Sequence, residues 1–258
     1  MKLASTEIGD GPPLIILHGL FGSARNWSTF AQRLAMSHRV FALDLRNHGD
    51  SPWSDTMTYD EMADDVADFI AVSGLERPSV IGHSMGGKVA MKLALGHEIA
   101  LAALAVVDIA PVSYDSGFAH YVEALSGIDL ASVERRADAD AALTGAVTDP
   151  ALRAFLLQNL IARDGIYAWR INLSAIGDGL AGLSEFSLSG PTTAFSGPTL
   201  FVAGERSGYI APKHHETIHK LFPRAEIAVL EGAGHWPHAE QPGNFVALME
   251  PFLRPRSC

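Results

Sequence analysis

Residues 80–91 read V-I-G-H-S-M-G-G-K-V-A-M. Ser84 stands between Gly82 and Gly86, directly after an apolar run and directly before a run with helical spacing. A strand that turns into a helix in one step crowds the residue at the turn, because the two backbones pass close to it. Glycines two positions either side carry no Cβ to clash there. Such a turn lifts the serine Oγ clear of the sheet, at a helix N-terminus whose dipole favours developing negative charge. As a bare pattern, G-x-S-x-G also fits a glycine-rich junction with an incidental serine. The strand before it and the helix after it favour a nucleophile.

Working outward, the neighbouring segments repeat the same alternation. P-L-I-I-L-H (13–18), V-F-A-L-D-L (40–45), S-V-I-G (79–82), L-A-V-V-D-I (104–109), T-L-F-V-A-G (199–204) and E-I-A-V-L-E (226–231) are short, nearly unbroken apolar runs. Runs of that kind predict strands buried on both faces, as in a parallel sheet covered by helices. Helices are expected between them. The stretch 58–72 opens with T-Y-D-E, a capping box with Thr58 at the N-cap and Glu61 three residues on. Met62, Val66, Phe69 and Ile70 recur at helical spacing, and Asp60, Asp64, Asp65 and Asp68 read as the solvated face. The run after Ser84 and the closing segment 245–253 read as further helices. The fold class is therefore α/β, a mostly parallel central sheet flanked by helices.

Residues 112–197 break the rhythm. The pattern there predicts helical pieces at 118–125, 132–137, 139–147 and 149–162, the last with Asp149 as N-cap and Pro150 at the first helical position. This divides the chain into a core, 1–111 and 198–258, and a small helical cap, 112–197. An insertion after the C-terminal end of a strand overlies the face where α/β sheets bind ligands.

Composition narrows the function. The chain has 258 residues, 48% of them apolar, and a formal net charge of -10. That charge disfavours nucleic acid and anionic lipid as partners. Cys258 is the only cysteine, which excludes an internal disulfide and a Cys-based zinc site. It is expected to be a frayed, exposed thiol. The N-terminal residues lack an apolar h-region, and the longest apolar stretch, 99–107, is too short to span a bilayer. A soluble, cytoplasmic-type protein is the expectation. The sequence leaves the oligomeric state open.

A serine nucleophile needs a base. Among eleven histidines, His235 lies in a loop past the last apolar run and before the final helix, at the same sheet edge as Ser84. His238, three residues on, reads as a capping or surface histidine. The acid that orients the imidazole is assigned to Asp108, at the end of the strand after the nucleophile helix. Glu205 is the alternative; Ser207 stands where a late Asp is expected. H-G-L-F-G (18–22) offers backbone N–H groups for an oxyanion. The donors are assigned to Leu20 and Met85, with Phe21 as second choice.

With these residues identified, the chain resembles the α/β-hydrolase superfamily, and within it the YbfF-type esterases, relatives of abhydrolase domain-containing 11. The resemblance rests on H-G-L-F-G-S-A-R-N-W (18–27), D-L-R-N-H-G-D-S (44–51), V-I-G-H-S-M-G-G-K (80–88), V-V-D-I-A-P-V (106–112), F-L-L-Q-N-L (155–160), W-R-I-N-L (169–173) and G-A-G-H-W (232–236). It implies a Ser-Asp-His hydrolase of carboxylic esters and thioesters, with Asp108 as acid and no metal or cofactor. The substrate expected is a small-molecule acyl ester of short to medium chain, or an acyl-CoA thioester. Trp169, Arg170 and Asn172 match the cap motif, where they line the acyl pocket or pin the cap to the core. Phe21 and Trp236 are assigned to substrate contact, and the loop holding Asp44 and Arg46 to architecture.

Two other classes share this fold, a non-catalytic small-molecule-binding protein and a cofactor-free perhydrolase or haloperoxidase. H-E-T-I-H (215–219) matches the zinc-protease motif H-E-x-x-H, with His215 and His219 on one helix face and Glu216 between them. No third ligand has a suitable spacing, so the match is read as chance.

Overall fold

The computed structural model describes residues 1–115, 117–188 and 193–254; Cys258 lies outside the described residues. Nine strands form among them: β1 (Ser5–Ile8), β2 (Pro13–Leu17), β3 (Arg39–Leu43), β4 (Ser79–His83), β5 (Ala103–Val107), β6 (Leu160–Arg163), β7 (Ile166–Trp169), β8 (Thr199–Gly204) and β9 (Ala225–Leu230). Seven build one sheet in the order β1-β3-β2-β4-β5-β8-β9, and β6 pairs with β7 apart from it. From β3 to β9 every neighbouring pair is parallel; only β1 runs antiparallel, on the edge.

The apolar strands are unbroken because each face of the sheet has its own core. In β2, Ile15 and Leu17 face one hydrophobic cluster, while Leu14 and Ile16 face the other. β5 divides Leu104 and Val106 from Ala105 and Val107, and β8 divides Phe201 and Ala203 from Leu200 and Val202, in the same way. Period-two alternation thus sends every second residue to a different helical layer. Helices α1 (Ser28–Leu34) and α9 (Pro242–Leu253) cover one face through Phe30, Leu34, Phe245 and Met249. Helices α2 (Tyr59–Val72), α3 (Met85–Gly96) and α8 (His215–Leu221) cover the other, through residues such as Met62, Val66, Val89 and Ile218.

The expected capping box starts α2: Thr58 Oγ1 accepts from Glu61 N, and Glu61 Oε2 accepts from Thr58 N. One expectation about this helix is corrected. Asp65 is buried rather than solvated; it binds Arg46 Nε at 2.7 Å and the N-terminal ammonium. A buried guanidinium from the neighbouring loop draws it inward, which apolar periodicity does not reveal.

The segment between β5 and β8 holds α4 (Ala119–Ser126), α5 (Arg136–Leu143), α6 (Pro150–Leu157) and α7 (Leu173–Ser184). Asp149 caps α6 as expected, its Oδ1 accepting from Ala151 N at 2.9 Å. The helix expected over 149–162 ends at Leu157, and the β6–β7 hairpin follows it. The hairpin turns at Asp164-Gly165, both at positive φ, a dipeptide that suits such a turn. The helices expected at 132–137 and 139–147 are one helix, α5, after a 3-10 turn at Leu130–Ser132. Strand β1 escaped the apolar pattern because it is four residues long and exposed throughout.

The turn at Ser84 is as tight as the glycine spacing requires. Ser84 has φ 51° and ψ -116°, strained for a residue with a side chain. A Cβ on Gly82 would stand 2.2 Å from Gly86 O, and one on Gly86 2.5 Å from Leu17 O. Backbone stands in the way at both positions. Gly82→Ala is therefore expected to lower unfolding free energy in urea by about 3 kcal/mol, the upper range for overpacking. Phe201, fully buried and packed against the Phe222 ring at 5.6 Å, should cost about 4 kcal/mol when changed to Ala.

Candidate active site

Sheet register brings the distant loops together. Ser84 N donates to Val107 O at 2.9 Å, and Asp108 N donates to Val202 O at 2.8 Å. Ser84, Asp108 and the loop after β8 thereby leave the same edge. The loop after β9 continues past Gly232, at φ 68°, to His235 at that edge.

There the side chains form a line. Ser84 Oγ donates to His235 Nε2 at 3.1 Å, and His235 Nδ1 donates to Asp108 Oδ2 at 2.8 Å. Asp108 is fully buried and, like Ser84, has φ 51°. Its Oδ1 accepts from Gly204 N at 3.0 Å, and Ser207 Oγ donates to its Oδ2. A buried carboxylate is thus given three donors, which offsets the cost of desolvating it. The arrangement can pass a proton from a hydroxyl to an imidazole whose far nitrogen is held by an anion.

Glu205, the alternative acid, is engaged elsewhere: its Oε2 accepts from Gly232 N at 2.8 Å. Phe21, the second-choice oxyanion donor, gives its N–H to His48 Nε2 at 3.2 Å. Leu20, just past β2, and Met85, the first residue of α3, flank Ser84.

A cavity of about 240 Å³ opens beside Ser84 and His235, with Leu20, Phe21, Phe118, Leu152, Phe155 and Trp236 in its wall. Phe21 and Trp236, assigned to substrate contact, stand in this wall. Trp169, Arg170 and Asn172 are not in this wall. Trp169 ends β7 and pairs with Leu160. Arg170 Nε donates to Asp50 Oδ1 at 3.0 Å. Asn172 caps α7 and donates from Nδ2 to Ser54 O at 3.1 Å, while Asn47 O accepts from its N–H. Arg170 and Asn172 tie the segment 112–197 to the loop 44–54, because their polar ends find partners there rather than in an apolar cavity. The loop is itself braced as expected: Asp44 accepts from Ala24 N and Asp50 N, and Arg46 pairs with Asp65.

Several contributors were not singled out in the sequence. Tyr209 lays its ring 4.4 Å from that of His235; its place shortly after β8 was the available signal. Phe155 lies within the F-L-L-Q-N-L motif, and its ring packs 5.7 Å from Trp236. Asn26 Nδ2 donates to Gln158 Oε1 at 2.6 Å, bridging α6 to the loop after β2. His238 is neither a capping nor a surface residue. It borders the cavity and stacks on Trp27 with centroids 4.0 Å apart.

The site is surrounded by neutral imidazoles. Burial pushes His18 down to about 4, and His48 and His238 to about 3. Burial, with His235 and His238 adding repulsion, holds His83 well below its ordinary value, and its Nε2 donates to His235 O at 2.7 Å. His18 and His48 each donate from Nδ1 to a carbonyl and accept a backbone N–H at Nε2. They serve as neutral hydrogen-bonding struts beneath the site. His215 and His219 sit on α8, on the outer layer, and no group of three metal-ligating side chains gathers among the described residues.

Comparison with known proteins accords with this architecture. The family model described as alpha/beta hydrolase fold matches residues 12–242. The chain is 37% identical over 250 residues to the mouse protein named sn-1-specific diacylglycerol lipase ABHD11, covering 94% of this chain and 81% of that protein. It is 32% identical over 246 residues to esterase YbfF of Escherichia coli, covering 93% and 92% respectively. A solved marine microorganism esterase superposes with a TM-score of 0.95 at 38% identity, over 98% of this chain and all of that one. On the sheet, the turn at Ser84 and these matches together, the chain belongs to the α/β-hydrolase fold family.

Proposed function

We propose that this protein is a serine hydrolase of carboxylic esters. The observation that carries the reading is the line from Ser84 Oγ through both nitrogens of His235 to Asp108 Oδ2, at 3.1 Å and 2.8 Å. His235 Nε2 takes the Ser84 proton as Oγ attacks the acyl carbonyl. Asp108 holds the ring in the tautomer that leaves Nε2 free to accept, and stabilises the imidazolium. The backbone N–H groups of Leu20 and Met85 receive the developing oxyanion. The imidazolium then protonates the leaving alcohol, the C–O bond breaks, and an acyl-enzyme remains. Water, deprotonated by His235, attacks that acyl group, and Ser84 regains its proton as the acid leaves.

The wall of the cavity is mainly apolar, and its volume lies just under the range that encloses drug-sized ligands. Both favour short- to medium-chain acyl groups. Thioesters form the second substrate class, since the same acyl transfer serves them. Residues 112–197 act as a cap: they supply Phe118, Leu152 and Phe155 to the cavity wall and so help exclude water from the acyl group.

Ser84→Ala is expected to lower kcat on p-nitrophenyl butyrate by about 10⁴-fold or more. Wild-type protein should be labelled at Ser84 by a fluorophosphonate. Near-normal turnover in the variant, or folded protein that resists labelling, would sink the mechanism. Asp108→Asn should lower kcat by about 10³- to 10⁴-fold through the wrong histidine tautomer, whereas Glu205→Gln leaves it near wild type. The reverse pattern would move the acid to Glu205.

A further inference from the structure

Ser84 borders two cavities. The second, of about 40 Å³, lies against Tyr59, Met85, Lys88, Tyr114 and Asp115 as well as Ser84. Its volume suits a few heavy atoms, since about 10–15 Å³ on this measure holds one water. Lys88 belongs to α3, one turn beyond the nucleophile, and is 1% exposed. Its Nζ donates to Ser184 O at 3.3 Å and Glu185 O at 3.1 Å, at the C-terminal end of α7. The same atom stands 5.2 Å from the ring centroids of both Tyr59 and Tyr114.

Those contacts leave the ammonium incompletely matched. It has three donors, and two carbonyls take two of them. Carbonyl dipoles and aromatic faces stabilise a cation without neutralising it. Among the described residues no carboxylate comes within ion-pair distance of Nζ, although Lys92, one turn further on, is paired with Asp60. Asp115 borders the cavity but is exposed, and it makes no such pair. Burial without a counter-charge lowers the Lys88 ammonium to about 8, so it is still mostly charged at pH 7. A buried cation with a third donor, on a residue that lines a small cavity touching the nucleophile, matches an anionic group on the ligand.

We propose that the second cavity is an anion subsite, in which Lys88 holds a carboxylate carried by one end of the ester substrate. The inference rests on Ser84 being the nucleophile. It narrows the substrate class to acidic esters: half-esters of dicarboxylic acids, or esters whose alcohol bears a carboxylate. The large apolar cavity takes the other end.

Two matched substrate pairs test it on the full chain. One is monoethyl glutarate against ethyl 4-carbamoylbutanoate. The other is 4-acetoxybutanoate against its amide. Each pair replaces the carboxylate by a neutral group of similar shape. In wild type, kcat/KM for the anionic member is expected to exceed that of the neutral one by about tenfold or more in at least one pair, reflecting a transition-state contact. Lys88→Gln and Lys88→Met should bring that ratio toward one. A wild-type preference for the neutral member in both pairs overturns the proposal, and so does an unchanged ratio in the variants. Were Lys88 only a peg for α7, both members would lose rate together and the ratio would stand. If neither variant folds, the wild-type ratio decides. Fluorophosphonate labelling runs alongside: unlabelled wild type overturns the Ser84 reading and the subsite with it, whereas labelled wild type without carboxylate preference overturns the subsite alone.

Discussion

A fully buried carboxylate at the end of β5 is the constraint around which this molecule is organised. Burying a carboxylate there is costly unless other groups donate to it, and each donor comes from a different direction. Gly204 N arrives with β8, Ser207 Oγ with the turn after it, and His235 Nδ1 with the loop beyond β9. Removing a partner from a charge so placed costs several kcal/mol. The carboxylate thereby joins the turn after β8 and the loop after β9 to the end of β5, beside Ser84. The strained φ of Ser84 and Asp108 is sustained by the same packing, since both are pinned by backbone hydrogen bonds to the adjacent strand.

Around that centre, titratable side chains are kept neutral or paired according to depth. His18, His48 and His83 are buried with both ring nitrogens or one of them bonded to backbone, and burial keeps them uncharged. Further out, Arg46 and Asp65 neutralise one another beneath α2, and Arg170 meets Asp50 where the inserted segment joins the core. These pairs fix orientation; their net worth is small against the desolvation they incur. Lys88 departs from this order because its partners are carbonyls and rings.

The inserted segment is attached polar at one side and apolar at the other. Arg170 and Asn172 hold its second half to the loop 44–54, and Asn159 Nδ2 donates to Phe21 O at 2.8 Å. Tyr59 reaches from α2 to Leu183 O at 2.8 Å. Between these anchors the contacts to the cavity are made by side chains such as Phe118 and Phe155.

The amino-acid sequence alone determined the mostly parallel sheet and the one-step turn at Ser84. Each of these follows from local chemistry: unbroken apolar runs, a capping box, and glycines where a Cβ would meet backbone. It also marked Ser84, Asp108 and His235 as residues that could converge. Tertiary structure alone decided how those side chains are spaced, that Glu205 turns to Gly232, and that Phe21 N is taken by His48. It moved Asp65 from the surface to the interior, stacked the half-buried His238 on Trp27, and set Arg170 and Asn172 at an anchor rather than in the cavity. The physical reason is the same in every case. A polar side chain is placed by whichever partner lies within about 3 Å of it, and for these residues that partner is a stretch of chain distant in sequence.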